Sequence, residues 1–334
     1  MIRCLFCAIS SLFLLLNSHA HAKPQIAEPQ SQQAWSFANP IQIDPLNISG
    51  IVVTEQFMAL VTDEGNQLAL FKPSAKGWQS LQVITLTQSL DEIDIEGVAW
   101  QAPYLYALGS HSAKRKKLKD SATQKKNLKR LQETASEMAR QVLFRVELNK
   151  QFEATDIQSL SLQPELKANP IVKAFIGLPS KENGIDMEGL AIDYKGRLFI
   201  GLRGPVLRGN IGMILRIETK KKRFEIKKSK WLYFDAEGRG VRGITETPDG
   251  FLVLTGAVGD QPMRYQVYRW RGQNALPGKD LKANAFTYLC DLPDSKGKPE
   301  GIQFLQYTQN RIEFVIVEDG LTHGKPSSYR CSIN

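Results

Sequence analysis

One phrase, written five times, constrains this chain most: a Gly followed by an aliphatic residue and usually preceded by an acid. It reads ISGIVV at Gly50, DIEGVAW at Gly97, DMEGLAI at Gly189, GVRGITE at Gly243 and KPEGIQF at Gly301. A short gap and a second apolar run follow each copy: FMALVTD, YLYALGS, RLFIGLR, FLVLTGA and IEFVIVE. In the first four copies the second run keeps its offset, so Asp63, Ser110, Leu202 and Gly256 each stand 13 residues after the Gly. Recurrence at roughly fifty residues marks a repeat array or a propeller.

Between these phrases lie further short apolar or alternating runs bounded by Gly, Pro, Asp and Asn, the pattern of antiparallel strands. They group in fours: GIVVT, FMALVT, QLALFK and LQVITL make the first set, and GLAID, RLFIGL, GMILRIE and WLYFD the third. The chain therefore reads as all-β, a single β-propeller of five four-stranded blades. The fifth blade runs out of sequence after YRCSI, and the stretch AWSFANPIQI (34–43) precedes the first blade. Ring closure, with that N-terminal stretch as the missing strand, would protect the sheet edges. A sixth blade within the long 97–189 interval is the competing arrangement.

Residues 1–22 stand apart. Arg3, the apolar run LFCAISSLFLLL and the small-residue site His19-Ala20-His21-Ala22 have the form of a cleaved secretory signal, which leaves 23–334 as the propeller domain. Export to the periplasm or medium is the expectation. The apolar run is short for a membrane span, and no later segment is long and apolar enough for one. An oxidising compartment would let Cys290 and Cys331 pair; two buried thiols are the equal alternative.

The formal net charge of +9 is concentrated. From Ser112 to Arg140 ten Lys and Arg face Asp120, Glu133 and Glu137, a net of +7. Leu128, Leu131, Ala135, Met138 and Val142 repeat there at helical spacing, so a basic helical insertion over about 112–141 is expected inside blade two, capped by Asp120 or Ser121. A solvated lid-like helix is the plain reading of such a charge run, and an electrostatic guide to the central site the functional one. Nucleic acid is excluded as a partner, because the chain reads as exported and its aromatic residues lie in strands rather than among the basic ones. A monomer is expected.

The first strand of each propeller blade lines the axis, where ligands bind. The five equivalent positions are Ser49, Glu96, Glu188, Arg242 and Glu300, and Asp94 and Asp186 precede two of the glutamates on the same strand face. Second-strand ends could add Asp63, His111, Arg203 and Asp319. At ~4 Å and an effective dielectric of ~20, each ionised carboxylate pair costs about 4 kcal/mol, so something must relieve the ring. One solution is a cation, and an all-oxygen set from Glu96, Glu188, Glu300, Asp94 and Asp186 suits Ca²⁺ or Mg²⁺. The other is pairing with Arg203 and Arg242, which if unpaired would bind a small anionic ligand together with Arg239. His111 stands as the candidate general base, with a structural hydrogen bond at a hairpin end as its alternative.

The words IDIEGVAW…YALGSHS, IDMEGLAID…GRLFIGLRGP, GRGVRGIT…LVLTGAVGD and PEGIQF…EDG, over about Gly50 to Gly320, resemble the bacterial DUF3616 family, whose members look like β-propellers and which implies no reaction. More distantly, the phrase at Glu96, Glu188 and Glu300 is similar to that of secreted phytase-like and esterase-like propellers. That resemblance implies calcium held by channel acids and hydrolysis of an anionic ester; Arg242 departs from its pattern. The expectation is a divalent-metal-dependent hydrolase of an anionic ester, against a non-catalytic binding propeller that uses its basic insertion to contact an anionic partner.

Overall fold

A computed structural model describes residues 24–30, 35–89, 91–220 and 222–333, so the expected signal at 1–22 lies outside the described residues. After a short strand β1 (Glu28–Pro29), blade one holds β2 (Ile48–Val53), β3 (Met58–Thr62), β4 (Gln67–Ser74) and β5 (Gly77–Thr85). Blade two begins with β6 (Ile95–Gln101) and β7 (Tyr104–Gly109). It is interrupted by β8 (Ala113–Arg115), helix α1 (Gln124–Gln132) and β9 (Thr134–Ser136), and resumes with β10 (Leu143–Leu148) and β11 (Ala154–Leu160). A short helix α2 (Gln163–Ala168) leads to blade three: β12 (Asp186–Ile192), β13 (Arg197–Gly204), β14 (Ile211–Thr219) and β15 (Ile226–Asp235). Blade four is β16 (Gly240–Thr247), β17 (Gly250–Gly256), β18 (Gln266–Trp270) and β19 (Phe286–Asp291). Blade five is β20 (Lys298–Thr308), β21 (Arg311–Asp319) and β22 (Ser327–Ser332), with β1 as its fourth strand.

The protein is thus an all-β, five-bladed propeller of four-stranded antiparallel blades. The interval where a sixth blade was the competing arrangement is filled by the insertion, α2 and 3₁₀ turns. Five apolar clusters form the core, one at each blade–blade interface. Leu70 and Val146 belong to the cluster between blades one and two, for example, and Phe199 packs on Trp270 between three and four. Because a blade buries both faces, strands such as β12 are buried at every residue, and alternation fades there.

Closure uses a different strand from the expected one. β1 pairs with β22 through Glu28↔Arg330 and Pro29↔Tyr329, while Ala27 N–H donates to Asp291 O of blade four at 2.8 Å. Residues 35–43 of the expected stretch instead span blades one and five: Trp78 N–H donates to Ser36 O at 2.8 Å, and the Trp35 indole donates to Ser328 Oγ at 2.7 Å. An edge ladder needs only a few backbone groups, and Glu28, Pro29 and Gln30, whose N–H donates to Ser328 O at 2.8 Å, supply them along β22. Cys290 on β19 and Cys331 on β22 are joined by a disulfide across blades four and five, with Cα atoms 6.2 Å apart.

The insertion departs from a continuous helix. α1 covers only nine residues, is capped by Thr123 rather than Asp120 or Ser121, and buries nothing. Ala135 lies on β9, Met138 begins a 3₁₀ turn, and Leu128, Leu131 and Met138 are exposed. A short helix without a packed face has little to hold it beyond its caps, and the β8–β9 ladder takes the residues that follow.

The five inner strands touch in cyclic order, and the glycine of each repeated phrase permits it. A Cβ on Gly97 would sit 2.8 Å from Glu188 O and 2.9 Å from Leu190 Cβ of the next blade, and Gly301 closes the ring with its Cβ position 3.0 Å from Gly50 Cα. Gly97→Ala should therefore lower stability by about 1–3 kcal/mol through overpacking against backbone that cannot yield. Thermal unfolding checks this, and an unchanged melting temperature would show that the inner strands can move apart.

Candidate functional site

Every first strand carries a β-bulge at the same place. The ladder register slips between Ile48 and Gly50, Ile95 and Gly97, Met187 and Gly189, Val241 and Gly243, and Pro299 and Gly301. The skipped residue in each case is the one before the Gly: Ser49, Glu96, Glu188, Arg242 or Glu300. A bulge frees a residue from the ladder and re-aims its side chain, and here it does so five times around one axis. Between the bulges and the apolar residues Val98, Leu190, Ile244 and Ile302 the axis keeps a cavity of only ≈10 Å³. The site is therefore the mouth on one face of the propeller.

The ring is partly neutralised from within. Arg242 Nη1 donates to Glu188 Oε1 at 2.9 Å, and its Nη2 donates to Glu300. Arg203, at the end of β13, pairs with Asp186 and places Nη1 2.8 Å from Glu188 Oε1. One oxygen of Glu188 thus serves two guanidinium groups. Its other oxygen is buried with no hydrogen bond among the described residues, as are Nε of Arg203 and of Arg242. Ser49 leaves the set, because its hydroxyl donates to Ile95 O at 2.5 Å.

Glu96 is the exception in the ring. Its carboxylate makes no hydrogen bond or ion pair among the described residues. Burial, followed by Glu188, Asp94 and Glu300, holds its pKa well above the ordinary carboxylate range. Ligand atoms of Glu96, Asp186 and Glu188 lie within 4.8 Å of one another. Burial likewise raises Asp186 to about 6 against the pull of Arg203, Glu188 to about 7 against Arg203 and Arg242, and Glu300 to about 7 against Arg242. At the rim Asp63 is raised to about 7 by burial and by Asp319, which itself pairs with Lys298 at 2.8 Å.

Of the five acids expected to bind metal, three converge and two do not. Asp94 is engaged by Arg140, by Ser110 and by Ser112 Oγ at 3.2 Å. Glu300 is held by Arg242 on the far side of Glu188 and falls outside the three-acid group. Arg239 pairs with Glu237 and donates to the Arg264 carbonyl, and it lines neither the axial cavity nor the basic cleft. Both ring nitrogens of His111 are occupied by backbone groups. Its Nε2 accepts from Leu162 N–H at 3.2 Å, which leaves Nδ1 as the donor to Gly109 O at 2.8 Å. Burial lowers its pKa to about 4, so it stays neutral and pins the hairpin end.

Sequence reasoning missed Arg140, which was counted among the solvated charges of the insertion. It is 1% exposed and bonds Glu92, Asp94 and Glu137, so the insertion is riveted to blade two by one buried guanidinium. The only signal was its separation from the other basic residues, between Met138 and Val142. Also missed were Lys181, Tyr265 and Lys298, which with Arg203 and Arg242 line a cleft of ≈250 Å³ beside the ring.

The raised carboxylates have a consequence for stability. The folded protein keeps protons that the unfolded chain gives up, so stability is fully present below the unfolded values near 4 and is lost as pH rises through about 7. With chelator present, the melting temperature should fall from about pH 5 to about pH 8, and Glu96→Gln should flatten that slope. A melting temperature that rises across this window would contradict the geometry.

The comparisons with known proteins come to this. A family model described as protein of unknown function (DUF3616) matches residues 47–330. No curated protein matches the chain. Among solved structures, an endo-arabinase from Bacteroides thetaiotaomicron is 11% identical with a TM-score of 0.46, over 90% of this chain and 98% of that one. A GH43 β-1,3-galactosidase solved with galactodeoxynojirimycin is 9% identical with a TM-score of 0.43, over 89% and 92%. A putative 6-phosphogluconolactonase from Bacteroides fragilis is 10% identical with a TM-score of 0.36, over 85% and 70%.

Proposed function

This chain belongs to the DUF3616 family, and from that premise and the geometry of the ring we propose that it is an exported hydrolase. It binds one divalent cation at the propeller mouth and acts on an anionic ester. The observation that carries the reading is Glu96: a carboxylate with no internal partner, in reach of Asp186 and of Glu188. Three carboxylates and no nitrogen or sulfur donor favour Ca²⁺ or Mg²⁺. The buried, unbonded second oxygen of Glu188 supports the same reading, since such an atom costs roughly 1–3 kcal/mol while it lacks a partner. Export accords with the leader sequence and with the disulfide.

When bound, the cation would supply Lewis-acid polarisation of the ester and a water of lowered pKa. The chain's own residues complete the site. Arg203 and Arg242 steady the substrate oxyanion from the cleft. Glu300, held at about 7, accepts the proton of the attacking water. The water oxygen bonds to the ester phosphorus or carbonyl carbon, the ester bond breaks, and the proton passes to the leaving alkoxide. Purified protein lacking residues 1–22 should bind one Ca²⁺ in equilibrium dialysis and lose hydrolysis of 4-nitrophenyl phosphate to chelator. Glu96→Gln should abolish the rise in melting temperature on adding Ca²⁺, while raising it in chelator by removing like-charge repulsion. Wild-type hydrolysis by Glu96→Gln, with no metal bound by either protein, would defeat the proposal.

A second reading has its own observation. Leu118, Leu128, Leu131 and Met138 are all exposed within the segment that carries +7. Basic side chains beside exposed leucines fit an anionic lipid surface, with about 1 kcal/mol from each Lys or Arg near it. Among the described residues no helix is long and apolar enough to cross a membrane, so this contact would be peripheral. The protein should co-sediment with phosphatidylglycerol vesicles and not with phosphatidylcholine vesicles, salt should release it, and Leu128→Ser with Leu131→Ser should weaken it. Equal binding to both vesicles would rule this reading out.

A further inference from the structure

The basic cleft beside the ring does not end at its cations. Pro262, Met263 and Tyr265 line the ≈250 Å³ cleft and also line a second hollow of ≈380 Å³. Across that hollow stand Leu292, Pro293 and Pro299, with exposed Arg264, Asp294 and Ser295 completing it. Prolines cannot donate a backbone hydrogen bond and hold their φ fixed, so this trough is both apolar and stiff. Its polar end is different in kind. Lys181, Arg203, Arg242 and Lys298 line it with one carboxylate, Asp260, which is paired with Lys181, while the acids that pair with the other three, Asp186, Glu188, Glu300 and Asp319, are not among its lining residues. The two hollows together have the size of a site for a small organic molecule rather than a bare ion.

We propose that the ligand of this site is bipartite: an oxyanion head against the four basic side chains and an apolar, ring-sized substituent lying in the Pro262–Tyr265 trough. The proposal rests on the anionic-ester reading above and narrows it to esters whose anion carries an aryl or alkyl group. A phosphate alone uses only the basic end. An apolar substituent gains by leaving water for a surface that is already shaped, so little ordering opposes it.

Phenylphosphonate and methylphosphonate share a head group and have no ester bond to hydrolyse, so calorimetric titration of each into the Ca²⁺-supplemented protein isolates the substituent. Phenylphosphonate should bind at least about ten-fold tighter, equivalent to about 1.4 kcal/mol. Met263→Ser and Pro293→Ser, both at half-buried positions, should each bring the two affinities together, whereas Lys298→Ala should weaken both in parallel. Equal affinities in the unmodified protein, or a preference that survives both trough substitutions, would overturn the bipartite ligand and leave the ester reading standing. If neither phosphonate binds, the anion site itself is removed, and this inference with it.

Discussion

The close approach of five inner strands is the contact on which the rest of this molecule depends. Each strand brings a glycine against the backbone or side chains of its neighbour, and each places a bulge one residue earlier. Without the glycine the strands could not converge, and without the bulge the residue before it would stay in register with the ladder. Fold and site thus share one local device. Substitution at the glycine is resisted by packing, while the preceding position is free to differ from blade to blade. It does differ, as Ser, Glu, Glu, Arg and Glu.

That freedom creates an electrostatic problem which the structure resolves only in part. Arg242 binds Glu188 and Glu300, and Arg203 binds Asp186 and Glu188. Two guanidinium groups cannot balance four carboxylates, counting Glu96. Burial outweighs the arginines, so the acids are raised even where they are paired. What remains is a cluster of acids that keeps protons up to near neutral pH. A propeller held together only by its interblade cores has no need of such a cluster.

Reading charge from sequence succeeded where strands carried it and failed where a loop did. The ring positions of Glu96, Glu188, Arg242 and Glu300 follow from strand order alone, because equivalent positions in a closed ring must face one axis. Arg140 does not follow. It sits in a basic run whose other members need no special account, and only the return of the insertion onto blade two buries it beside Asp94. The helical stripe failed for a related reason: its apolar residues found no surface, so α1 stops at Gln132. His111 shows the reverse error, since its place near the ring drew attention while two backbone groups occupy its nitrogens.

By itself the sequence determined the repeat and the five positions that face the axis, because these depend on spacing and on alternation along single strands, while the choice of five blades over six waited for the structure. The sequence did not determine which strand closes the ring, since two N-terminal stretches compete for open edges and only the packing of blades one and five separates them. Nor did it determine which acids meet. Glu96, Asp186 and Glu188 come from two blades, and Arg242 and Arg203 reach them from strands β16 and β13. Ion pairing among side chains of different blades is decided by distances of a few ångströms across the axis, and those distances exist only once all five blades have closed.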